Sequence, residues 1–463
     1  MIDIDKSKVL QLKELLDDMQ YHLIMTITLG EQNYFVNPLL DYNTIKKEVQ
    51  KLDEKYIKLI SFFSLGEPIE KAFLLRYLDV SVVDHLVELE IVNMDETDVW
   101  MNNLLLTSYN NCYFLVSNVF YYPTNQSFEQ KPYIGIDTYW LSRIIVNRLK
   151  GTVLDLCTGS GIQGILAAKT ADYVLAVDID PITVSIARFN TFLNDVDSKM
   201  EVKQGDLYFA VDEGVKFDYI LSNPPFIPIP INVDFPICGD GGEDGMQIIR
   251  RIVKGYSNYL KCNGEGIMIG QTIGNKDQVF LSKELEKLLP GYSTKLIING
   301  KSIIENQAHS FSDLANIVGK NNDIAANEKM WIDIYKKMNA EYFYNFTLFA
   351  KNNDQNENIV IKVDDNWNKD DVPISNVASI DKINEMYMMR STDGNGNFSI
   401  DEETLFFIDS INGEKTVKEL VENIPFRYKI KYGKNAHNVI LMKYLSLCSM
   451  YERYGILFKS QNK

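Results

Sequence analysis

Between residues 142 and 300 the sequence alternates short apolar runs with amphipathic helical runs, and this rhythm restricts the fold more than any other feature. Strand-like runs lie at Thr152–Cys157, Tyr173–Ile179, Met200–Gly205, Phe217–Ser222 and Gly266–Thr272, with helical periodicity at 162–170, 181–194, 246–260 and 277–289. Parallel strands need a crossover between them, so this alternation specifies a mostly parallel sheet with helices on both faces. Thr294–Asn299 and Asn345–Lys351 are candidates for two further strands, which would complete a seven-stranded, Rossmann-like α/β core. Between them, 301–343 is a mixed insertion with a helical stretch at Trp331–Met338. Open α/β sheets place their chemistry outside the carboxyl ends of the strands.

Two stretches at such strand ends stand out. Asp155-Leu156-Cys157-Thr158-Gly159-Ser160-Gly161-Ile162-Gln163-Gly164 follows a strand and opens a helix. Its glycines form a G-x-G-x-x-G, permitting a tight turn, close approach of a ligand to the backbone and close helix–strand packing. Asp178 ends the next strand, nineteen residues beyond Gly159, where an acid can bind two ribose hydroxyls. The glycines alone also suit NAD, whose pyrophosphate rests on a helix N-terminus. Asp155 points to a different nucleotide, because a carboxylate repels phosphate and suits a cation. S-adenosylmethionine, with an ammonium, a sulfonium and no phosphate, meets that condition. Asp206, at the end of the third strand, can accept from the adenine amino group, and Leu207 or Ile179 can pack on the ring. The expected cofactor residues are Asp155, Cys157, Thr158, Gly159, Gly161, Asp178, Ile179, Asp206 and Leu207, joined by Asn223.

The second stretch is Asn223-Pro224-Pro225-Phe226, after the strand Phe217–Ser222. Neither proline has a backbone N–H for a ladder bond, so the pair ends the strand. These four residues are the expected catalytic set. An amide or aryl amino nitrogen is planar and a poor nucleophile because its lone pair is delocalised. The side-chain oxygen of Asn223 and the carbonyl oxygen of Pro224 can accept its two hydrogens, while Phe226 stacks on the plane. Such holding aims the lone pair at a methyl donor about 3–3.5 Å away, and the oxygen dipoles stabilise the positive charge that develops on nitrogen. This chemistry requires no histidine or lysine base and no metal.

Asp155–Gly161, Val177-Asp178, Gly205-Asp206-Leu207 and Asn223–Phe226 together resemble the class I S-adenosylmethionine-dependent methyltransferases that act on amino and amide nitrogens. That group includes DNA adenine N6-, ribosomal RNA guanine N2- and release-factor glutamine N5-methyltransferases. Asp240-Gly241-Gly242-Glu243-Asp244-Gly245 is similar to the loop that follows NPPF in the glutamine enzymes. The resemblance spans residues 130–300 and implies the class I fold, S-adenosyl-L-methionine and transfer to a planar nitrogen. The front end looks like that of small-domain methyltransferases, whereas release-factor enzymes carry a shorter helical N-terminal domain.

Three domains are expected: 1–125, 126–353 and 354–463. In the first, 6–18 has helical periodicity and 22–29 resembles a strand. Helices at Tyr56–Leu65, Ile69–Leu78 and Ser81–Ile91, then strands at Val99–Leu106 and Tyr113–Val119, make a winged-helix pattern. The segment Lys131–Trp140 is aromatic and suits either packing or a fold over the cofactor. The last hundred residues have amphipathic helices at 404–411, 416–423 and 437–453, which suggests a small, mainly helical or winged-helix domain. Ser391–Glu402 partly matches a calcium loop but has Ser391 where the first ligand should be Asp, so a glycine-rich hairpin fits it better.

Charge bears on partners. The formal net charge is −16, and residues 1–125 hold ten Lys and Arg against nineteen Asp and Glu. Nucleic-acid binders draw affinity from cations on phosphates, so this balance favours a protein, peptide or peptide-derived acceptor. A nucleic-acid base N-methyltransferase and a non-catalytic S-adenosylmethionine-binding regulator are the alternatives. The five cysteines are scattered and no stretch of eighteen apolar residues occurs, which fits a reducing cytoplasm and no membrane span.

Overall fold

The structure, a computed structural model, describes residues 3–29, 46–47, 49–117, 132–231, 233, 235–318, 324–362, 370, 372–383, 386–391, 397–400, 402–429 and short pieces between 440 and 459. Helix α1 (Lys6–Asp18) starts at Asp5, whose carboxylate accepts the Ser7 N–H. The stretch expected to be a strand at 22–29 is a second helix, α2 (Tyr21–Leu29). Tyr21 and Met25, one turn apart, are both buried, and the Tyr21 hydroxyl donates to the Leu106 carbonyl at 2.8 Å. Tertiary packing of that face outweighs the weak strand preference of its β-branched residues.

Helix α3 (Glu54–Leu65) leads into strand β1 (Ile69–Glu70), the one-turn helix α4 (Lys71–Leu74) and helix α5 (Val80–Glu88). Strands β2 (Val92–Met94) and β3 (Asp98–Met101) follow, and the three strands pair in the order β1-β3-β2. The hairpin expected around 108–111 forms as β4 (Leu104–Tyr109) and β5 (Cys112–Ser117), turning at Asn110 and Asn111, both at positive φ. It is a separate two-stranded sheet. The turn that closes the three-stranded sheet lies earlier, at Asp95–Thr97.

Helix α6 (Ile136–Ile145) leads to the core. Its elements are β6 (Thr152–Leu156), α7 (Ile162–Ala168), β7 (Tyr173–Asp178), α8 (Pro181–Leu193), β8 (Met200–Gln204), β9 (Phe217–Ser222), α9 (Gln247–Tyr259), β10 (Leu260–Gly274), α10 (Phe280–Leu288), β11 (Tyr292–Ile303), α11 (Ile304–Val318), α12 (Ile324–Lys337), β12 (Tyr342–Asn352) and β13 (Asn358–Lys362). The strands pair in the order β13-β11-β12-β10-β9-β6-β7-β8. β6, β7, β8, β9 and β10 run parallel, while β12 is antiparallel to both β10 and β11. This is the Rossmann-like class I arrangement, with its order reversing between β6 and β9, the position where such sheets open a binding crevice.

Among the described residues the sheet has eight strands, one more than the seven expected. The extra strand is β13, parallel to β11 at the edge. The polar run before it, at the expected division between 353 and 354, binds back onto the start of β11: Asn356 accepts the Gly291 N–H at 2.6 Å and Asn353 accepts the Ser293 N–H at 3.2 Å. One sheet face packs against α7, α8 and the N-terminal elements through Val153, Ile165, Ala187 and Phe189. The other packs against α9 and α10 through Leu154, Ile220, Ile252 and Leu285.

Beyond the core, strands β14 (Pro373–Ser375), β15 (Val377–Ile383), β16 (Met386–Ser391) and β17 (Asn397–Ile400) precede helices α13 (Glu402–Asp409), α14 (Val417–Glu422) and α15 (Phe426–Lys429), and β18 (Leu457–Lys459) pairs with β14. Among the described residues the tail is therefore mixed rather than mainly helical, because the alternating residues of β15 to β17 form an antiparallel sheet that backs Phe407, Leu420 and Val421. Half of the calcium-like loop (392–396 and 401), the Phe120-Tyr121-Tyr122 run and much of the 437–453 helix lie outside the described residues. No helix among the described residues is long and apolar enough to cross a membrane.

Candidate functional site

The carboxyl ends of β6, β7, β8 and β9 border a cleft of about 260 Å³. Register makes them neighbours: Leu156 pairs with Ser222 on one side and with Val177 on the other, and Asp178 pairs with Gln204. Of the expected site residues, Cys157, Thr158, Gly159, Asp178, Ile179, Asp206, Leu207 and Asn223–Phe226 all line this cleft. Asp155 and Gly161 do not: Asp155 lies beneath the loop, and Gly161 ends it at the start of α7.

The three glycines of the motif, two in the turn between β6 and α7 and one within α7, do three different things. Gly159, at φ +57°, has nothing within 4 Å of where a Cβ would stand, so the loop leaves open space on its cleft side. Gly161, at φ +84°, turns the chain into α7 in a backbone region that costs an L side chain about 1–2 kcal/mol. A Cβ on Gly164 would lie 2.6 Å from Met200 and 3.2 Å from the Asp155 carboxylate, so its absence lets the helix close on the strands. Cys157 and Leu207, both with positive φ, also border the cleft. Bulky residues held there store strain of the kind that collects at ligand sites.

The acids are tied to this loop. Asp178 accepts the Gly159 N–H at 2.9 Å and the Asp180 N–H at 3.2 Å, and burial pushes its carboxyl above the usual range. Asp206 accepts from the Arg251 guanidinium of α9 at 2.7 Å, which leaves its other oxygen free of that pair. Burial keeps the Cys157 thiol protonated. Asp155 is 1% exposed and accepts from the Thr158 hydroxyl and the Gly164 N–H, so its carboxylate braces the loop from beneath instead of meeting a ligand directly.

Burial raises the Asp155 carboxyl from 3.8 to about 7, against the two hydrogen bonds that favour the ion. Between these values the folded chain holds a proton that the unfolded chain has lost. The contribution is therefore full below about pH 4 and falls by ~1.4 kcal/mol per pH unit until the folded group ionises near 7. Asp155→Asn keeps an acceptor for Thr158 and Gly164 and removes the titration. Melting temperatures of the variant should stay flatter than those of the parent from pH 4 to 7; parallel curves would refute the assignment.

The tetrad after β9 has a partner that sequence reasoning missed. Asp137, in the first turn of α6, accepts from the Asn223 Nδ2 at 2.7 Å. A carboxylate only accepts, so it fixes which end of the amide faces it. Asn223 Oδ1 is then buried at the cleft with no hydrogen-bond partner among the described residues. Gly135 makes room for this arrangement, since a Cβ there would lie 2.3 Å from Asp137 Oδ1. Tyr133, beside it, also lines the cleft, and burial with the nearby Asp137 charge pushes its hydroxyl pKa well up. The aromatic run around 131–140 was the only sequence signal that this segment folds over the site.

The acidic glycine-rich loop supports the tetrad from behind. Ile227 N–H donates to the Gly239 carbonyl and Gly241 N–H to the Ile227 carbonyl, both at 2.9 Å, and Ile229 N–H reaches Gly242 at 3.0 Å. Arg250 ties the loop down, reaching Asp244 at 2.6 Å and Glu284 at 2.7 Å. From the insertion, Trp331 on α12 donates its ring N–H to the Pro228 carbonyl at 2.6 Å.

Comparison with known proteins matches residues 134–289 to the methyltransferase small domain family model. The release factor glutamine methyltransferase of Clostridium acetobutylicum is 35% identical over 158 residues, 32% of this chain and 54% of that protein. The ribosomal protein L11 methyltransferase of Caldicellulosiruptor saccharolyticus is 50% identical over 148 residues, 32% of this chain and 41% of its own length. A Methanocaldococcus jannaschii protein whose name assigns it to the protein N5-glutamine methyltransferases is 33% identical over 155 residues, 32% of this chain and 77% of that protein. The chain spans about half the length of the first curated relatives it matches. Similarity of this extent, over the segment that builds the cleft, establishes that the chain belongs to the small-domain methyltransferase family that includes the protein glutamine methyltransferases.

Proposed function

We propose that the chain is an S-adenosylmethionine-dependent N-methyltransferase whose acceptor is a planar, amide-like nitrogen of a protein or peptide. The observation that carries this reading is the Asn223 amide, held by Asp137 so that its oxygen stands unpaired at the cleft. The cleft fits the cofactor: open space beside Gly159, Asp178 near the loop for the ribose, and Asp206 with Leu207 and Ile179 for the adenine. When bound, S-adenosylmethionine supplies an electrophilic methyl group on a sulfonium. Asn223 Oδ1 and the Pro224 carbonyl accept the acceptor's two N–H hydrogens and orient its lone pair, and Phe226 bounds the plane. Oxygen dipoles set in advance stabilise the positive charge growing on nitrogen without reorganising.

Charge supports a protein acceptor over a nucleic acid. Among the described residues, Asp137, Asp178, Asp180, Asp206 and Asp240 line the cleft against a single basic side chain, Arg251, which is itself paired. A surface of that sign repels a phosphate backbone. The names of the relatives likewise specify proteins as their acceptors. The topology of α3, β1, α4, α5, β2 and β3 suits a winged helix, but the exposed Asp84 and Glu88 of α5 suit a protein contact better than DNA. We divide the chain at 1–125, 126–353 and 354–463, with β13 as an arm from the third part onto the middle sheet.

The test is transfer from labelled S-adenosylmethionine to a cell extract split into protein and nucleic-acid fractions. Label should enter nuclease-resistant protein, mapping by tandem mass spectrometry to a methylated Gln or Asn side chain. Activity should fall little with salt, since no counterions are released. Label in nucleic acid, with a steep salt dependence, would favour base methylation; cofactor binding with no transfer would favour a regulator.

A further inference from the structure

Strand β5 pairs with β4 along one edge and meets α8 along the other. An unpaired strand edge buried in protein must find partners for its N–H and C=O groups. The Ser117 N–H donates to the Pro132 carbonyl, and for Tyr113 and Leu115 the partners are two side chains one helical turn apart. Asn194 accepts the Tyr113 N–H at 2.9 Å and donates to the Tyr113 carbonyl at 2.7 Å. Asn190 accepts the Leu115 N–H at 2.7 Å and donates to the Leu115 carbonyl at 3.0 Å. Each amide replaces the peptide group of a missing neighbouring strand. A helical turn of ~5.4 Å and two strand residues of ~6.7 Å are close enough for both to reach.

The two then differ. The second donor hydrogen of Asn194 returns to its own helix, at the Asn190 carbonyl, 2.8 Å away. The second donor of Asn190 goes to the Ser160 carbonyl at 2.8 Å, between Gly159 and Gly161. Asn190 is wholly buried, so both of its amide hydrogens are committed, one to the N-terminal hairpin and one to the glycine loop. The Ser160 carbonyl belongs to the Ser160–Gly161 peptide, so pinning it fixes that plane, two peptide units beyond the Gly159 N–H that holds Asp178.

We propose that Asn190 is a positioning residue that couples docking of the β4–β5 hairpin to the shape of the cofactor loop. This rests on the assignment of that loop to S-adenosylmethionine. The hairpin then acts as part of the cofactor site without touching the cofactor, and whatever the N-terminal module binds can alter cofactor affinity through it.

The experiment is calorimetric titration of the full chain with S-adenosylhomocysteine, in the parent, Asn190→Ala and Asn194→Ala. Both variants lose the hairpin contact and should melt lower. Only Asn190→Ala should weaken binding, by roughly tenfold, the scale of one buried hydrogen bond. A parent that binds nothing would sink the cofactor assignment. A parent that binds, with Asn190→Ala equal to it or Asn194→Ala equally weakened, would sink the coupling alone. Should Asn190→Ala not fold, hydrogen exchange of the parent decides. Coupling is reciprocal, so saturating S-adenosylhomocysteine should slow exchange of the Leu115 amide along with the 155–164 loop. Protection confined to the loop overturns the proposal.

Discussion

Replacing Asn223 with alanine should lower methyl transfer roughly 100-fold or more, the usual cost of removing one group placed in advance for the transition state. The loss belongs in the chemical step. Asn223 Oδ1 is a buried amide oxygen at the cleft with no partner among the described residues, whereas the glycine loop, Asp178 and Asp206 are held by other bonds. S-adenosylhomocysteine should therefore bind the variant almost as it binds the parent, with kcat falling and cofactor affinity retained. Asp137→Asn separates orientation from identity. An asparagine at 137 can offer either an oxygen or an NH2 group, so the Asn223 amide is no longer forced to present its oxygen to the acceptor. A smaller loss, about tenfold, is expected there, the cost of a partly misplaced group. Single-turnover rates with saturating labelled cofactor measure both, and an Asn223→Ala enzyme that turns over its true acceptor at the parent rate would remove the tetrad from the mechanism.

Gly245→Ala should be nearly as damaging although residue 245 does not line the cleft. Gly245 sits at φ +71°, and a Cβ there would stand 2.4 Å from the Phe226 carbonyl oxygen and 3.1 Å from the Pro228 ring. The obstacle is backbone, not the end of a flexible side chain. It cannot swing away, because Ile227 on the next peptide is hydrogen-bonded to Gly239 and Gly241, and Trp331 holds Pro228. Either Phe226 shifts or the loop lifts. A displacement near 1 Å at the reacting groups costs about 100-fold, on top of ~1–2 kcal/mol for an L residue in this backbone region. Transfer should fall by that order while S-adenosylhomocysteine affinity, set on the β6–β8 side, changes much less. Equal losses in both would place the loop's role in overall folding.

Much of the core was legible because its signals are local. Four of the five parallel strands end in a short motif: the glycines at 159 and 161 after β6, Asp178 at the end of β7, Asp206 after β8 and Asn223–Phe226 after β9. What failed was local pattern without local cause. Residues 22–29 resemble a strand, yet the i, i+4 burial of Tyr21 and Met25 against another element made them a helix. The eighth strand had no local signal either: Asn353 and Asn356, in the polar run at the expected division, bind the start of β11, and β13 follows beside it.

The sequence by itself determined the parallel strands of the sheet, the glycine loop and the strand-end groups proposed here to hold a planar nitrogen, because proline, glycine and strand-end acids act on their immediate neighbours. Only the tertiary structure decided how those atoms point. Asp137 reaches Asn223 across 86 residues of chain, Arg251 reaches Asp206 across 45, and Asn190 reaches Leu115 across 75. Asp155 changed roles for the same reason, turning beneath the loop to Thr158 and Gly164 rather than into the cleft. Side-chain direction is set by which partner lies within a hydrogen bond's length, and that partner's position is a property of the packed fold.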